Sequence, residues 1–361
     1  MLYLNDVTGR LQKKANAFGA VYTTQSRVAV HDFSGDGIPD LFIAGRVQPW
    51  QYGTAPRSYL LQNDGSGKFR DVTAAYSKDL LQPGMVSGAV WADLNGDGKK
   101  ELVLCYEWGG IDAFLQKGNR FLRQPVTSRK GWWQFIAVQD VDGDGDPDIL
   151  AGNLGHNTRL KVSEKEPVSL YINDFDNNGR TEQVMSYFLK GTELPFAGKG
   201  LLEKQIPLLR KKFLYAADFA KAGMTELFGE QLLKKSVQLQ ANYLGNALLK
   251  NNGQGQFELQ DLPYEAQLST LRAGSLLSGN GTSNTELLLM GNFHPYSMEL
   301  GRQDADYGTL LRISNGRITT SEIGGVVVAG EVRQLQPIHI GTRIAYLIAK
   351  NNAPLQVIAI R

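Results

Sequence analysis

The stretch Asp140-Val141-Asp142-Gly143-Asp144-Gly145-Asp146-Pro147-Asp148 contains five carboxylates and two glycines, and the apolar run Ile149-Leu150-Ala151-Gly152 follows it directly. Carboxylates this close repel one another unless a hard cation lies between them. Calcium takes six to eight oxygen ligands, which the side chains of Asp140, Asp142, Asp144 and Asp148 and the main-chain carbonyl of Asp146 would supply. Gly145 allows the sharp turn between them. The stretch therefore predicts a calcium loop.

The same spacing recurs, so the motif is not isolated. Copies with three carboxylates each span Asp32–Asp40, Asp93–Glu101 and Asp174–Glu182. A fifth copy has Ser278, Asn280, Thr282 and Glu286 at the same four offsets, but it keeps one carboxylate. We expect calcium in the first four loops, three to four ions in total, and none in the fifth.

Two other interpretations of the loops are an EF-hand and an acidic surface turn without metal. An EF-hand needs a bidentate Glu at position 12, where this chain has Ile43, Leu104, Ala151 and Met185, so the EF-hand is excluded. Apolar runs lie on both sides of each loop, which indicates that each loop joins two buried strands of a hairpin. Acidic surface turns without metal remain the alternative.

A second hairpin follows most of these loops, with turn signals such as Asn63-Asp64-Gly65 and Asn315-Gly316. Two hairpins make a four-stranded module that cannot cover its own faces, so the modules must stack, and radial stacking gives a β-propeller. We predict an all-β fold of about five to seven four-stranded blades, possibly incomplete at the N-terminus, in a single domain over residues 1–361. Units begin near Arg27, Met85, Trp133, Val168, Thr270 and Gly330. The short spacing from Asp140 to Asp174 leaves open whether those loops belong to separate blades.

Two segments depart from the repeat. Residues 199–236 carry apolar residues at helical spacing and predict a small helical insertion, either a cover on the rim or a platform for a partner. Residues 1–12 resemble the second hairpin of a unit without its first. They are either the remnant of a longer protein, which we favour, or a hairpin that closes the ring with the C-terminal strands.

Composition narrows the function classes. The 361 residues include 40 Gly and 13 Pro and carry a net charge of +2, which fits a turn-rich β protein. The basic residues lack interleaved aromatics, so a nucleic-acid partner is not expected. The one cysteine, Cys105, lies in an apolar run and predicts a buried side chain. No apolar segment is long enough to cross a membrane, and the N-terminus as written has no signal peptide.

The repeats Asp-x-Asp/Asn-Gly-Asp-Gly-x-x-Asp/Glu-Leu, followed by the hairpin at 57–73, resemble the FG-GAP/VCBS repeats of integrin α-subunit heads and of bacterial VCBS-repeat proteins. The segments 57–73, 130–133, 151–157 and 205–213 look more closely like the cartilage-acidic-protein (ASPIC/UnbV-type) VCBS proteins. The resemblance covers nearly the whole chain. It implies a propeller with structural calcium, exported to the periplasm, cell surface or extracellular space.

Carried over by position, the resemblance implies that the side chains at positions 1, 3, 5 and 9 of each loop and the carbonyl at position 7 are calcium ligands. These residues are Asp32, Ser34, Asp36, Ile38 and Asp40; Asp93, Asn95, Asp97, Lys99 and Glu101; Asp140, Asp142, Asp144, Asp146 and Asp148; and Asp174, Asp176, Asn178, Arg180 and Glu182.

We predict a non-enzymatic, calcium-stabilised binding or adhesion module with an unidentified protein or glycan ligand. A lectin is the first alternative, with Trp50, Tyr52, Trp108, Trp132 and Trp133 as sugar-stacking platforms. A calcium-dependent carbohydrate-active enzyme is the second. No Ser-His-Asp, Cys-His or His-Glu-x-x-His arrangement supports catalysis, and His156 and His294 are interpreted as structural loop residues.

Overall fold

The structure is a computed structural model that describes residues 1–278 and 284–359. The strands of the first half are β1 (Leu2–Asn5), β2 (Leu11–Lys14), β3 (Thr24–His31), β4 (Asp40–Val47), β5 (Tyr59–Asn63), β6 (Phe69–Asp71), β7 (Met85–Ala92), β8 (Glu101–Lys117), β9 (Arg120–Trp132), β10 (Phe135–Gln139), β11 (Asp148–Gly152), β12 (Val168–Asn173), β13 (Glu182–Leu189) and β14 (Thr192–Pro195). Those of the second half are β15 (Val237–Ala241), β16 (Ala247–Asn251), β17 (Phe257–Asp261), β18 (Leu271–Ser278), β19 (Asn284–Gly291), β20 (Thr309–Ser314), β21 (Arg317–Glu322), β22 (Val332–Ile340), β23 (Arg343–Lys350) and β24 (Gln356–Ile358).

The helices are short. They are α1 (Thr73–Tyr76), α2 (Lys199–Gln205), α3 (Leu208–Lys212), α4 (Ala216–Phe219), α5 (Met224–Phe228) and α6 (Glu230–Lys235), with 3₁₀ turns at Lys78–Leu80 and Tyr264–Gln267. Within the described ranges, none of them is long and apolar enough to cross a membrane.

Antiparallel sheets follow one another along the chain, in the orders β3-β4-β5-β6, β7-β8-β9, β10-β11-β16-β17, β18-β19-β20-β21 and β22-β23-β24. We call these sheets blades 1 to 5. The first strand of each blade lies against the first strand of the next, from β3 to β7, β10, β18 and β22. First strands that meet in this way place the sheets side by side around a common axis. The predicted all-β, propeller-like fold is therefore confirmed.

Alternating side chains explain why the blades stack. In β8, Leu102 and Leu104 pack into a core with blade 1, whereas Val103 and Cys105 pack into the core with blade 3. In β19, Leu287 and Leu289 face blade 3, and Leu288 faces blade 5. Because successive strand residues point to opposite faces, an uninterrupted apolar run buries both faces of a blade. The prediction that Cys105 is buried is confirmed.

The strand at Val168 does not begin a blade, contrary to the unit boundaries expected from sequence. It belongs to a sheet with the order β14-β13-β12-β15, which lies in the chain between β11 and β16 of blade 3. The hairpin β12-β13, which carries the acidic loop, occupies the middle of this sheet. In the blades, the hairpin with the acidic loop lies at one edge of the sheet. We call this sheet, together with helices α2 to α6, the inserted unit.

The helices of the inserted unit lie in the chain between β14 and β15, within residues 199–236. They cover one face of the inserted sheet, where Leu209 and Leu227 pack on Tyr171, Phe175 and neighbouring side chains. On the other side, β15 lies against β8 and β9 of blade 2. The inserted unit is thus anchored to blade 2 while the chain returns to complete blade 3.

The N-terminal hairpin β1-β2 forms a two-stranded sheet of its own. Leu2 and Leu4 lie beside the Gly67 turn of blade 1, and Phe18 stacks on Phe69 with 5.2 Å between ring centroids. Of the fifth acidic loop, Asn280 and Thr282 lie outside the described residues. The one carboxylate of that copy, Glu286, forms an ion pair with Arg312 at 2.6 Å.

Candidate metal centre

All four acidic loops are held by the aspartate at position 1, which accepts hydrogen bonds from the loop's own backbone. In the third loop, Asp140 Oδ1 accepts from Gly143 N at 2.8 Å and Oδ2 from Gly145 N at 3.1 Å. The corresponding acids in the other loops, each with bonds to two or more loop amides, are Asp32, Asp93 and Asp174. The carboxylate thus holds the loop folded around itself.

Positions 4 and 6 need a left-handed backbone, and this need explains their glycines. Gly143 and Gly145 have φ angles of 81° and 94°, where a side chain is strained. In the fourth loop, Asn177 occupies position 4 at a φ of 57°, which asparagine tolerates better than most residues. The fourth loop therefore keeps the same path without the first glycine.

The acid at position 9 is the first residue of the second strand and is buried in every loop. Asp148 is 0% exposed, and its oxygens accept from Val141 N at 3.2 Å and Asn251 N at 2.9 Å. A buried apolar residue at position 2, here Val141, draws the loop onto the core. The equivalent buried acids are Asp40, Glu101 and Glu182, and the equivalent apolar residues are Phe33, Leu94 and Phe175.

Two loops bring three acids together. Asp140, Asp142 and Asp148 each place a carboxylate oxygen within 4.8 Å of the others, and so do Asp174, Asp176 and Glu182. In both clusters the position-3 acid has a buried oxygen, Asp142 Oδ1 or Asp176 Oδ1, that no hydrogen-bond donor of the described chain reaches. A buried carboxylate oxygen without a partner is costly. Both clusters therefore fit a metal ion.

Burial also disfavours the charged form of Asp148 and Glu182, the position-9 acids of the two clusters. Burial raises the pKa of Asp148 to about 6, with a smaller contribution from the repulsion of Asp142 and Asp144. Burial likewise raises the pKa of Glu182, assisted by Asp176 and Asp174. A cation between the oxygens would reverse both effects, since it stabilises the ionised carboxylates that burial and repulsion destabilise.

The loops at Asp32 and Asp93 share the backbone frame but not the cluster. Among the described residues, neither loop brings three carboxylates as close as the other two do. At position 3 they carry Ser34 and Asn95 instead of an acid, and Ser34 Oγ and Asn95 Nδ2 bond to Asp32 and Glu101 of their own loops. The ligands predicted in these two loops stay predictions.

Positions 5 and 7 are alike in all four loops. The side chain at position 5 accepts from the amide at position 7 at 2.8 to 2.9 Å, in the pairs Asp36 with Ile38, Asp97 with Lys99, Asp144 with Asp146 and Asn178 with Arg180. This bond fixes the peptide whose carbonyl was predicted to be a ligand.

Sequence reasoning missed two residues that reach the third loop from β16. Asn251 holds Asp148 through its amide and also donates Nδ2 to Pro147 O at 3.2 Å, and Lys250 Nζ lies 2.9 Å from Asp142 Oδ2. Asn63 holds Asp40 in the same way in blade 1. The recurring Leu-Leu-x-Asn of 60–63 and 248–251 was the available signal.

Lys250 competes with a metal for Asp142, so Lys250→Met is expected to strengthen calcium binding at the third loop. The pair is partly buried, and about 1 kcal/mol of relieved competition corresponds to about fivefold in Kd. Calorimetric titration of the variant measures this change. Lys235→Met, at an exposed lysine of α6, is the matched control, and an unchanged or weaker affinity in Lys250→Met would contradict the expected competition.

The residues considered for the lectin and enzyme alternatives differ in their exposure to solvent. Trp108, Trp132 and Trp133 are buried, whereas Trp50 is 98% exposed. His156 Nε2 lies 3.1 Å from Asp261 and His294 Nε2 lies 2.8 Å from Asp304. Each histidine thus ties its loop to a neighbouring segment, as a structural residue does.

The fold and these loops define an all-β, propeller-like protein whose repeated hairpins end in acidic loops. Residues 32–104 and 93–151 match the family model described as the FG-GAP-like repeat. The two matches cover the first three acidic loops and all of blade 2, and they include β4 to β6 of blade 1 but not β3. No curated protein matches the chain.

Proposed function

We propose that this protein is a calcium-stabilised, non-enzymatic binding module that works outside the cytoplasm. The observation that carries the proposal is the pair of acidic clusters, each with an unpartnered, buried carboxylate oxygen on Asp142 or Asp176. The FG-GAP-like repeats of residues 32–151 agree with a repeat module rather than an enzyme.

The donor set favours calcium over other metals. Each cluster offers only oxygen, from carboxylates and from a carbonyl such as that of Asp146, and softer metals prefer nitrogen or sulfur. The ligands sit on a loop of nine residues whose shape is set by backbone hydrogen bonds. Such a loop accepts the long and variable bonds of calcium more easily than the strict octahedron of magnesium.

The expected affinity points to a compartment rich in calcium. Both clusters carry three carboxylates that are partly exposed at positions 1 and 3, and in the third loop Lys250 offsets one negative charge. Sites of this kind in extracellular modules bind with a Kd of about 10⁻⁴ to 10⁻³ M. Calcium at that affinity would be bound outside the cytoplasm, in line with the export implied by the resemblance to VCBS proteins.

In this proposal calcium stiffens loops and does no chemistry. The binding surfaces then lie elsewhere, and the helical part of the inserted unit is the largest departure from the repeat. It leaves Leu208, Leu214 and Tyr215 exposed. We propose a protein or glycan ligand, with adhesion as the role, because rigid stacked sheets present loops without needing to move.

Calorimetric titration with calcium and then with magnesium tests the proposal. We expect at least two calcium ions to bind with a Kd between about 10⁻⁴ and 10⁻³ M, and magnesium to bind at least tenfold more weakly. Asp142→Asn and Asp176→Asn should each remove one site. Equal affinity for both metals, or loss of no site in either variant, would overturn the proposal.

The lectin alternative rests on Trp50. Its ring is almost fully exposed, and the residue is held at a φ of 64°, a conformation that costs a bulky residue energy. An indole presented in this way can stack on a sugar ring. The other predicted platforms, Trp108, Trp132 and Trp133, are buried and do not support it.

A glycan array decides this alternative. If the protein is a lectin, Trp50→Ala should reduce binding to its glycan at least tenfold, because the stacking surface is lost. Tyr264→Ala, at another exposed aromatic residue, is the control and should leave binding unchanged. Glycan binding that survives Trp50→Ala would show that Trp50 is not the platform.

A further inference from the structure

A cavity of about 390 Å³ lies between the inserted unit, blade 2 and the loop that follows β19. Its walls include Trp108 and Trp132 of blade 2, Met185 and Phe196 of the inserted sheet, Leu201 of α2 and Tyr296 of the loop. Glu107, on its wall, is six residues along β8 from Glu101, which is about 20 Å at the usual rise of a strand. The cavity is therefore well separated from the acidic loop of blade 2, whereas Gln183 of its lining directly follows Glu182 of the fourth loop.

One corner of the cavity is polar, and the charge of its carboxylate, Glu107, is already paired within the protein. Glu107 Oε2 lies 2.5 Å from Arg46 Nη2, and Glu107 Oε1 accepts from the Tyr52 hydroxyl at 2.8 Å. Trp108 Nε1 donates to the same hydroxyl at 2.8 Å. The carboxylate is thus paired with a guanidinium and hydrogen-bonded, and it offers no free negative charge to a ligand.

The rest of the wall is mostly aromatic and apolar, and Gln183, Gln205, Ser297 and Glu299 also line it. Trp108 and Trp132 meet edge to face with 5.1 Å between ring centroids, and Tyr296 lies 6.4 Å from Trp132. Phe196 and Met185 close the opposite side. Rings and thioethers in this arrangement favour contact with another ring.

The backbone at Trp108, on this wall, has a strained conformation. Trp108 has a φ of 62°, and the pairing of β8 with β9 is irregular on both sides of Gly109. Left-handed backbone at a bulky residue costs about 1 to 3 kcal/mol and is concentrated at binding sites. The Trp108 indole lies against Tyr52, to whose hydroxyl it donates.

We propose that this cavity is a binding site for a mostly apolar small molecule that contains a ring and carries no negative charge. Its volume falls in the range of small-molecule sites, and its walls combine apolar rings with a few polar groups. An anion is disfavoured, because it would lose its hydration beside the carboxylates of Glu107 and Glu299. The site goes beyond the proposed calcium function and does not depend on it.

Two naphthalenes with the same ring system test the proposal by calorimetry in 1 mM calcium at pH 7. They are 1-naphthol, which is uncharged, and naphthalene-1-sulfonate, which is an anion. We expect 1-naphthol to bind to one site and the sulfonate to bind at least tenfold more weakly. Absence of 1-naphthol binding, or tighter binding of the sulfonate, would overturn the proposal.

Variants locate the site. Ala197→Trp fills the cavity from its wall and should weaken 1-naphthol binding at least tenfold, whereas Ala216→Trp, on the exposed side of α4, should change it less than twofold. Leu201→Asp, at a half-exposed lining residue, provides a second test that folding tolerates more easily. Binding that is unchanged in both cavity variants would place the ligand elsewhere. Calcium titration of the same samples separates this result from the fate of the calcium proposal.

Discussion

Removal of calcium with excess EGTA is expected to lower the midpoint of thermal unfolding by about 10 °C. For a Kd of about 10⁻⁴ M, 1 mM calcium is ten times the Kd and stabilises the folded state by about 1.4 kcal/mol per site, so two clusters contribute about 3 kcal/mol. In a domain of moderate size each kcal/mol is worth about 2 to 4 °C. Calorimetry or circular dichroism with 1 mM calcium, and then with EGTA, measures the shift.

Restoring calcium after EGTA should restore the midpoint, and magnesium at the same concentration should restore less than half of it. This control separates loss of the bound ion from any other action of the chelator. A shift below about 2 °C would mean that the clusters around Asp142 and Asp176 contribute no metal-linked stability.

The second large effect is expected from Asp148→Ala. The alanine leaves two buried amides, Val141 N and Asn251 N, without their acceptor. Each unsatisfied buried group costs about 1 to 3 kcal/mol, so we expect the free energy of unfolding to fall by about 3 to 5 kcal/mol. Urea unfolding in EGTA measures this structural part alone, because no metal contributes.

Asp148→Asn separates structure from metal binding. Its amide oxygen still accepts a hydrogen bond, but the negative charge is lost, so the variant should lose less stability in EGTA than Asp148→Ala and should gain less from calcium than the native chain. Asp218→Asn, at an exposed acid of α4, should behave like the native chain. A full calcium response in Asp148→Asn would exclude Asp148 as a ligand.

Much of the fold could be predicted from the sequence because its signals are local. The uninterrupted apolar run Leu102-Val103-Leu104-Cys105 predicts a strand buried on both faces, and the structure confirms it. The acidic loops were placed from spacing alone, and their position-1 acids indeed organise the turns. These features depend on a few neighbouring residues, which is why a single sequence is enough.

The sheet of the inserted unit could not be predicted, because its hairpin carries the same local pattern as a blade. The loop Asp174–Glu182 has the same residue pattern as the other loops. In the structure, however, β12 pairs with β15, and β16 pairs with β11, from which the whole inserted unit separates it in the chain. Pairing over such a distance leaves no local trace. The cavity beside Trp108 was missed for the same reason, since its walls come from four separate parts of the chain.

The candidate site was predicted in part. Spacing identified the acids that the structure brings together at Asp140 and Asp174, but it could not distinguish them from the loops at Asp32 and Asp93, where no such cluster forms among the described residues. An acid at position 3 makes the difference. The contribution of Lys250 and Asn251 arises only when β16 pairs with β11.

The most direct measurement is the number of calcium ions bound per chain, by elemental analysis after dialysis against a buffer with 1 mM calcium and a brief wash through a desalting column equilibrated with the same buffer. For a Kd near 10⁻⁴ M the excess over the buffer should be close to two ions per chain, and it should fall by about one in Asp142→Asn and in Asp176→Asn. No excess calcium in the native protein would contradict the account.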